Sequence, residues 1–478
     1  ACRRQRSGMT ARLWLLSKRW NSRHMPAFDM ARLTELSGQL SSLLWGSRIT
    51  LGLLLGVGVY LTVRLGFIQI TMLRFALREL AHKPTGNEPG EVSGFRALAT
   101  ALSGTVGTGN IAGVATAITF GGPGALFWMW VTAIFGMATK FAESTLALKY
   151  REVDGEAAGG PMYTLKNGLK LPWLGGLYAF FVMVASFGIG NMVQSNSVVD
   201  GVAFAFPNVG AHKLALGCLM AGLVGAVIIG GVRRIASVAG VLVPLMSLIY
   251  MGAGLLVIVL NFHALPGAVV SVVQHALAPE AVGGAALGEA IRWGVARGLF
   301  SNEAGLGSAS MAFSAMKVRH PAQGGLVNMF GPLFDTLVVC SVTGLAIVVT
   351  GATESAPADA QGAALTAFAF AKALGPTGHQ IVAIGLALFA FSTMVSWSYY
   401  GDRCARYLFG ARAVLPYRLL FVLMIVIGAT VQLKLVWNIS DVMNILMAAP
   451  NLIALVGLSG VVVRLKREYL AQKLEGAL

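Results

Sequence analysis

The chain has 478 residues, 56% of them hydrophobic and only 12% charged, with a mean hydropathy of +0.71. Apolar runs of about 20 residues, the length that crosses a hydrocarbon core, recur along it, so this is the composition of a polytopic helical membrane protein, and the unbroken runs exclude a barrel of alternating strands. The net charge of +16 would suggest nucleic acid in a soluble protein, but most Lys and Arg lie between the apolar runs, where they set topology.

Residues 1–42 are basic and weakly patterned, with Arg3, Arg4, Arg6, Arg12, Lys18, Arg19, Arg23 and Arg32. They read as an extension translated from an upstream region, without a fold of its own and without the long apolar core of a signal peptide. A transmembrane transporter domain follows over 43–463, and 464–478 form a cytoplasmic tail. Eleven spans are expected, at about 43–67, 94–120, 125–150, 174–198, 214–231, 238–260, 286–315, 330–350, 380–409, 416–433 and 438–463. The segment Ala363 to Leu374 is apolar but too short to cross, and is placed across the outer mouth. One set of loops carries Arg74, Arg78, Lys149, Arg151, Lys166, Lys170, Arg233, Arg234, Arg319, Arg403, Arg412 and Arg418; the opposite set carries only Lys213, Lys372 and Lys434. The rich side belongs in the cytoplasm, which puts the N-terminus outside and the C-terminus inside. The basic first residues run against that orientation.

Two spans are interrupted. Ser103-Gly104-Thr105-Val106-Gly107-Thr108-Gly109-Asn110 puts three glycines in six residues of an otherwise apolar helix, each costing roughly 1 kcal/mol of helix propensity relative to alanine. Backbone freed at membrane depth survives only where it lines a cavity or binds a ligand. The seventh span has a second break, Gly298-Leu299-Phe300-Ser301-Asn302-Glu303-Ala304-Gly305-Leu306-Gly307-Ser308. Counted from the second span, the two breaks hold equivalent places in two five-helix halves, and five being odd, the halves are inverted. Paired breaks of this kind point to a transporter site at the midplane.

Other chemistries lack their residues. Cys2, Cys218, Cys340 and Cys404 have no ligand spacing, no His or Cys cluster appears, and there is no phosphate-binding Gly-Lys-Ser/Thr. Gly107 to Ala112 fits the dinucleotide fingerprint only formally, since it follows no strand. A channel is the real competitor, because broken helices also line pores.

The run Gly121-Gly122-Pro123-Gly124-Ala125-Leu126-Phe127-Trp128-Met129-Trp130-Val131, taken with the first break, resembles the alanine or glycine:cation symporter family. The likeness extends to Asn191-Met192-Val193-Gln194-Ser195-Asn196, to Leu299 through Ser308, and to Ser396-Trp397-Ser398-Tyr399-Tyr400-Gly401. The resemblance implies an all-α LeuT-type fold of 5+5 inverted repeats with one additional N-terminal helix, and sodium-driven uptake of alanine or glycine by a monomer in the cytoplasmic membrane, with no cofactor.

An amino acid brings a carboxylate and an ammonium, and both must be resolvated within the membrane. The half-helix starting near Thr108 offers free N–H groups and a positive dipole end, so the Thr108 and Gly109 amides are assigned to the carboxylate, and the Thr105 and Phe300 carbonyls to the ammonium. Ser301 and Trp397 complete the expected substrate contacts, with Gln194 on the third core helix, which borders substrate in this fold. For sodium, the resemblance points to the carbonyls of Ser103 and Val106 facing the hydroxyls of Ser392 and Thr393. The plainer role of those hydroxyls is back-bonding to their own helix. Asn110, Asn302 and Glu303 are expected to hold a second cation or to be structural, the asparagines as caps. Glu303 and Asp335 are the carboxylates that a proton-coupled carrier would use, while Glu143 and Lys140, three apart on one helix, are expected to pair.

Overall fold

Proline and glycine punctuate the long helices where their chemistry allows. Pro172, Pro321 and Pro376 stand in the first turn of their helices, where the missing N–H costs nothing, and Gly410 ends the helix that Pro376 begins in a left-handed conformation (φ 80°). The computed structural model describes residues 30–82, 88–154, 156–210, 212–277, 285–357, 360–431 and 434–475. Along them run α1 (Met30–Gly46), α2 (Arg48–Arg64), α3 (Leu73–Ala81), α4 (Gly94–Thr105), α5 (Val114–Gly121), α6 (Gly124–Lys149), α7 (Pro172–Ala205), α8 (Lys213–Ile228) and α9 (Gly231–Leu260). After these come α10 (Leu265–Leu277), α11 (Ala285–Asn302), α12 (Ser310–Ser314), α13 (Pro321–Val349), α14 (Ala363–Leu374), α15 (Pro376–Phe409), α16 (Val414–Thr430), α17 (Lys434–Gly457) and α18 (Ser459–Leu474). A short antiparallel hairpin, Glu152–Asp154 with Glu156–Ala158, follows α6.

Among the described residues, seven helices are long and apolar enough to cross a membrane, or eight if α1 and α2, bent by 41°, are one span. The expected eleven are therefore not all visible by this measure, for local reasons. The first broken span is split into halves too short to cross alone, α11 of the second carries Glu289, Arg292 and Arg297 in its 18 residues, and α8 has only 16 residues.

The helices sort into two groups. α6 packs against α11, α13 and α2, while α7, α8, α15 and α16 pack among themselves, and α4 meets α15 between the groups. The breaks thus sit at the seam where one group faces the other.

Two expected boundaries move. Residues 30–42 are helical, and α1 is tied to α17 by Asn438 Nδ2 donating to the Thr34 carbonyl at 3.1 Å and Trp45 Nε1 donating to the Asp441 carbonyl at 3.0 Å. That stretch belongs with the transporter body; residues 1–29 of the expected extension lie outside the described residues. The tail is a helix as well. On α18, Tyr469 Oη (2.6 Å) and Lys473 Nζ (3.1 Å) donate to Glu79 of α3, a carboxylate that is only 2% exposed. Gln323 Nε2 of α13 donates to the same carboxylate at 2.8 Å. α14 packs beside the first break, with Thr366 Oγ1 donating to the Ile111 carbonyl at 3.0 Å.

Candidate substrate and ion site

At the first break, α4 stops at Thr105 and the backbone extends at Val106 (φ −75°, ψ 94°). The chain coils again from Thr108, and Gly109–Gly113 is wound as a wider π turn before α5. Asn110 Oδ1 accepts from the Gly107 N–H at 2.8 Å, which is the expected capping role. The second break is shorter than the sequence suggests. Helix α11 continues through Gly298 to Asn302, and only Glu303 to Ala309 unwind, with left-handed backbone at Glu303 (φ 54°), Gly305 (92°) and Gly307 (79°). Gly298 does not break the helix; a Cβ there would stand 2.2 Å from Thr132 Oγ1 of α6, so it permits close packing. At the helix end Asn302 forms an Asx turn, its Oδ1 accepting from the Ala304 N–H at 3.0 Å. That N–H is thereby turned away from the Phe300 carbonyl, which stays in the free last turn.

One buried carboxylate joins the breaks. Asp335, on α13, accepts from Asn110 Nδ2 (2.8 Å), Ser301 Oγ (2.7 Å) and Thr336 Oγ1 (2.7 Å). Ser301 is therefore committed to Asp335, and it does not line the small cavity described below, contrary to its expected place at the substrate. The expected Glu143–Lys140 pair is not formed. Glu143 Oε1 instead accepts from the N–H groups of Gly305 (2.9 Å) and Gly307 (3.1 Å) and from Asn451 Nδ2 (2.8 Å). Lys140 Nζ is buried without a hydrogen-bond partner among the described residues. Orphan N–H groups of a buried unwound segment make a stronger demand on a carboxylate than an ammonium one turn away. Anchoring the unwound backbone thus falls to Glu143, and Glu303 looks elsewhere: it accepts from Trp397 Nε1 at 3.1 Å and from the Ser308 hydroxyl.

The four oxygens singled out for sodium lie together. Ser392 Oγ stands 3.2 Å from the Ser103 carbonyl and Thr393 Oγ1 stands 3.5 Å from the Val106 carbonyl. Ser103 Oγ answers by donating to the Ser392 carbonyl at 2.7 Å. Both hydroxyls also reach the Phe389 carbonyl of their own helix, at 2.8 and 3.0 Å, so back-bonding and cross-helix contact coexist. A Cβ on Gly107 would fall 2.5 Å from Thr393 Oγ1, so only glycine lets the break approach α15 this closely.

Beside these oxygens is a small cavity of about 10 Å³, lined by Thr105, Thr108, Gly109, Gln194, Phe300, Glu303, Thr393 and Trp397, with Gly104, Gly107 and Ile189. Gln194 fixes its amide by donating to the Ile189 carbonyl at 3.0 Å, which leaves Oε1 buried with no partner among the described residues, as is Thr108 Oγ1. Asn191 and Asn196 make interhelical bonds, to the Phe421 carbonyl (2.7 Å) and the Gly428 carbonyl (3.2 Å). Sequence reasoning passed over Ile189 and Gly190. A Cβ on Gly190 would lie 2.3 Å from Trp397 Cβ, a close approach visible only once α7 and α15 are packed. Phe300 separates the small cavity from a larger one of about 620 Å³, which it also lines with Thr108 and Gly109, together with Asp200, Arg297, α14 and Trp437.

Two half-helices meeting face to face, with unpaired polar atoms turned into a cavity between two packed groups of long apolar helices, define a multi-pass membrane carrier. The fold is shared with MhsT, solved in complex with L-phenylalanine: the similarity has a TM-score of 0.55 at 13% sequence identity and covers 79% of this chain and 98% of that one. A model of the sodium:alanine symporter family matches residues 30–478, and the chain belongs to that family. It is accordingly a transporter and not an enzyme. The chain is 51% identical over 439 residues to the sodium/alanine symporter AgcS of Methanococcus maripaludis, covering 90% of this chain and 95% of that protein. It is 39% identical over 448 residues to a probable sodium/glutamine symporter, GlnT, of Bacillus subtilis, covering 93% and 92%.

Proposed function

We propose that this chain carries a small neutral amino acid, alanine or glycine, into the cell together with sodium by alternating access. The observation that carries this reading is the convergence of the Ser103 and Val106 carbonyls on the Ser392 and Thr393 hydroxyls. Four neutral oxygens suit a monovalent hard cation, which needs its water replaced but no full countercharge. The Thr108 and Gly109 amides take the substrate carboxylate at the positive end of a half-helix, the Thr105 and Phe300 carbonyls take the ammonium, and Gln194 Oε1 supplies a further acceptor. Phe300 and Trp397 bound the side chain, so the substrate is small. AgcS, named a sodium/alanine symporter, agrees with alanine, whereas the name of GlnT leaves the side-chain limit to measurement.

In this reading eleven crossings form two inverted five-helix halves plus the N-terminal helix, with the N-terminus outside and the C-terminus cytoplasmic. The chain works as a monomer surrounded by lipid in the cytoplasmic membrane. Sodium braces the first break, substrate completes it, and the two helix groups rock about the seam. Sodium must then tighten substrate binding by the factor with which substrate tightens sodium.

A second reading, proton coupling, rests on Glu303, a buried carboxylate that lines the small cavity itself. The test is uptake of labelled alanine and glycine into proteoliposomes under an inward sodium gradient and then under a proton gradient alone. Accumulation that requires sodium supports the first reading. Proton-driven accumulation moves the coupling to Glu303 and Asp335, and flux that only ever runs downhill removes coupling altogether.

A further inference from the structure

The cavity beside Phe300 holds two opposite charges that do not satisfy each other. Arg297 and Asp200 both line the 620 Å³ space, yet no ion pair within 4 Å or hydrogen bond joins either of them to any described residue. Arg297 is instead held by ring faces, its guanidinium carbon 5.3 Å from the centre of Trp293 and 5.5 Å from that of Phe300, and its Nε is buried without an acceptor. A guanidinium stacked in this way is fixed in place; the buried Asp441 carboxylate shares a smaller cavity with it but forms no ion pair with it, so the N–H edge can still meet an incoming anion. Asp200 projects from α7 on the opposite group of helices. Among the described residues that line this space, these two are the charged ones; the rest are glycine, alanine, hydroxyl, amide, aromatic and aliphatic groups with one histidine, His379.

We infer that this cavity is an encounter site for the amino-acid zwitterion, in which Arg297 takes the carboxylate and Asp200 the ammonium before Phe300 yields and the substrate passes to the break. The inference rests on the amino-acid reading proposed above. Two further facts support it. The inner cavity, at about 10 Å³, has no room for an amino acid in this conformation, whereas the outer one has ample room. Phe300 lines both, and its ring stacks on Trp437 at 6.0 Å with Arg297 over its face, so a ligand drawn to Arg297 stands against the ring that must move. The encounter site contains none of the four oxygens proposed for sodium, so binding there does not need sodium.

The test is equilibrium binding of labelled alanine to the purified full chain in sodium-free buffer, alongside sodium-driven uptake by the same preparation in liposomes. The wild type should show weak saturable binding without sodium. Alaninamide, which lacks the carboxylate, and lactate, which lacks the ammonium, should each compete at least tenfold less well than alanine. Arg297→Gln and Asp200→Asn should each weaken this binding at least tenfold and raise the KM for uptake, with the maximal rate within about twofold of wild type. Arg297→Lys, which keeps the charge, should retain most of it and shows that loss in the Gln variant is not misfolding. Sodium-driven uptake by a wild-type chain that binds no alanine without sodium, or sodium-free binding indifferent to both neutralising variants, would overturn the encounter site and leave the transport reading standing. A wild type with no coupled uptake at all would overturn the transport reading.

Discussion

Thr393 shows how a single hydroxyl can have two partners and how to tell which one matters. Its oxygen bonds back to the Phe389 carbonyl at 3.0 Å and reaches the Val106 carbonyl at 3.5 Å. Were the back-bond its whole role, Thr393→Ala would change stability slightly and coupling not at all. As one of four proposed sodium ligands, its loss should raise the sodium concentration for half-maximal uptake about tenfold, equivalent to ~1.4 kcal/mol, while the ratio of alanine to glycine uptake stays as it was. Uptake assayed against sodium concentration decides this, and an unmoved sodium curve would refute the ligand assignment. Gly109 is constrained from another side. A Cβ there would lie 3.3 Å from Phe300 Cδ1, and a larger side chain would fill the space between the half-helix and the ring. Gly109→Leu should therefore lower alanine uptake by at least about tenfold, with the protein still delivered to the membrane in normal amount. Thr108 and Gly109 stood out in the sequence as part of a glycine-rich interruption in an apolar run, whereas Ser392 and Thr393 were pointed to only by the resemblance. For Ser301, expected at the substrate, nothing local says that Asp335, 34 residues on, claims its hydroxyl.

The second broken helix owes its shape to a helix that carries no break. Glu143 on α6 holds the N–H groups of Gly305 and Gly307 and is itself held by Asn451 of α17. Hydrogen bonds to a charged acceptor contribute roughly 1.5–3 kcal/mol each when buried. Glu143→Gln keeps the shape and removes the charge, so the thermal midpoint of the purified protein in detergent should fall by roughly 2–5 °C, with proteolysis or cysteine labelling of the segment Glu303 to Ala309 faster than in wild type. An unaltered midpoint and labelling rate would argue that the clamp contributes nothing. Periodicity could announce that Glu143 lies on a long apolar helix; it could not announce the partner. The spacing of three residues pointed to Lys140, a rule that holds on a solvated helix surface, whereas at this buried position the unwound backbone 162 residues away is the stronger claimant.

Orientation in the membrane is the property on which all directions of transport depend. Lys170, before α7, and Lys213, at the start of α8, are both exposed and are assigned to opposite sides. In a background with Cys2 and Cys218 replaced by serine, Lys213→Cys should react with a membrane-impermeant maleimide in intact cells, and Lys170→Cys only after permeabilisation. The reverse pattern would invert the topology and make the 620 Å³ cavity a cytoplasmic one. The proposed rocking of the two helix groups would run along the seam that holds both breaks.

Membrane insertion, the approximate position of the spans, the two interruptions and the family likeness all follow from features written locally. Run length, glycine density and the distribution of lysine and arginine act within about 20 residues, and lipid punishes any departure from them. The partners of the buried polar groups do not follow from such features. Asp335 bridging two breaks, Glu143 serving a distant loop, the cavity charges left unpaired on opposite helix groups, and the helical residues 30–42 packed on α17 are outcomes of which helices become neighbours. Each buried N–H, hydroxyl or carboxylate takes whatever partner the packing brings within about 3 Å, and that choice is made between segments that the chain itself holds far apart.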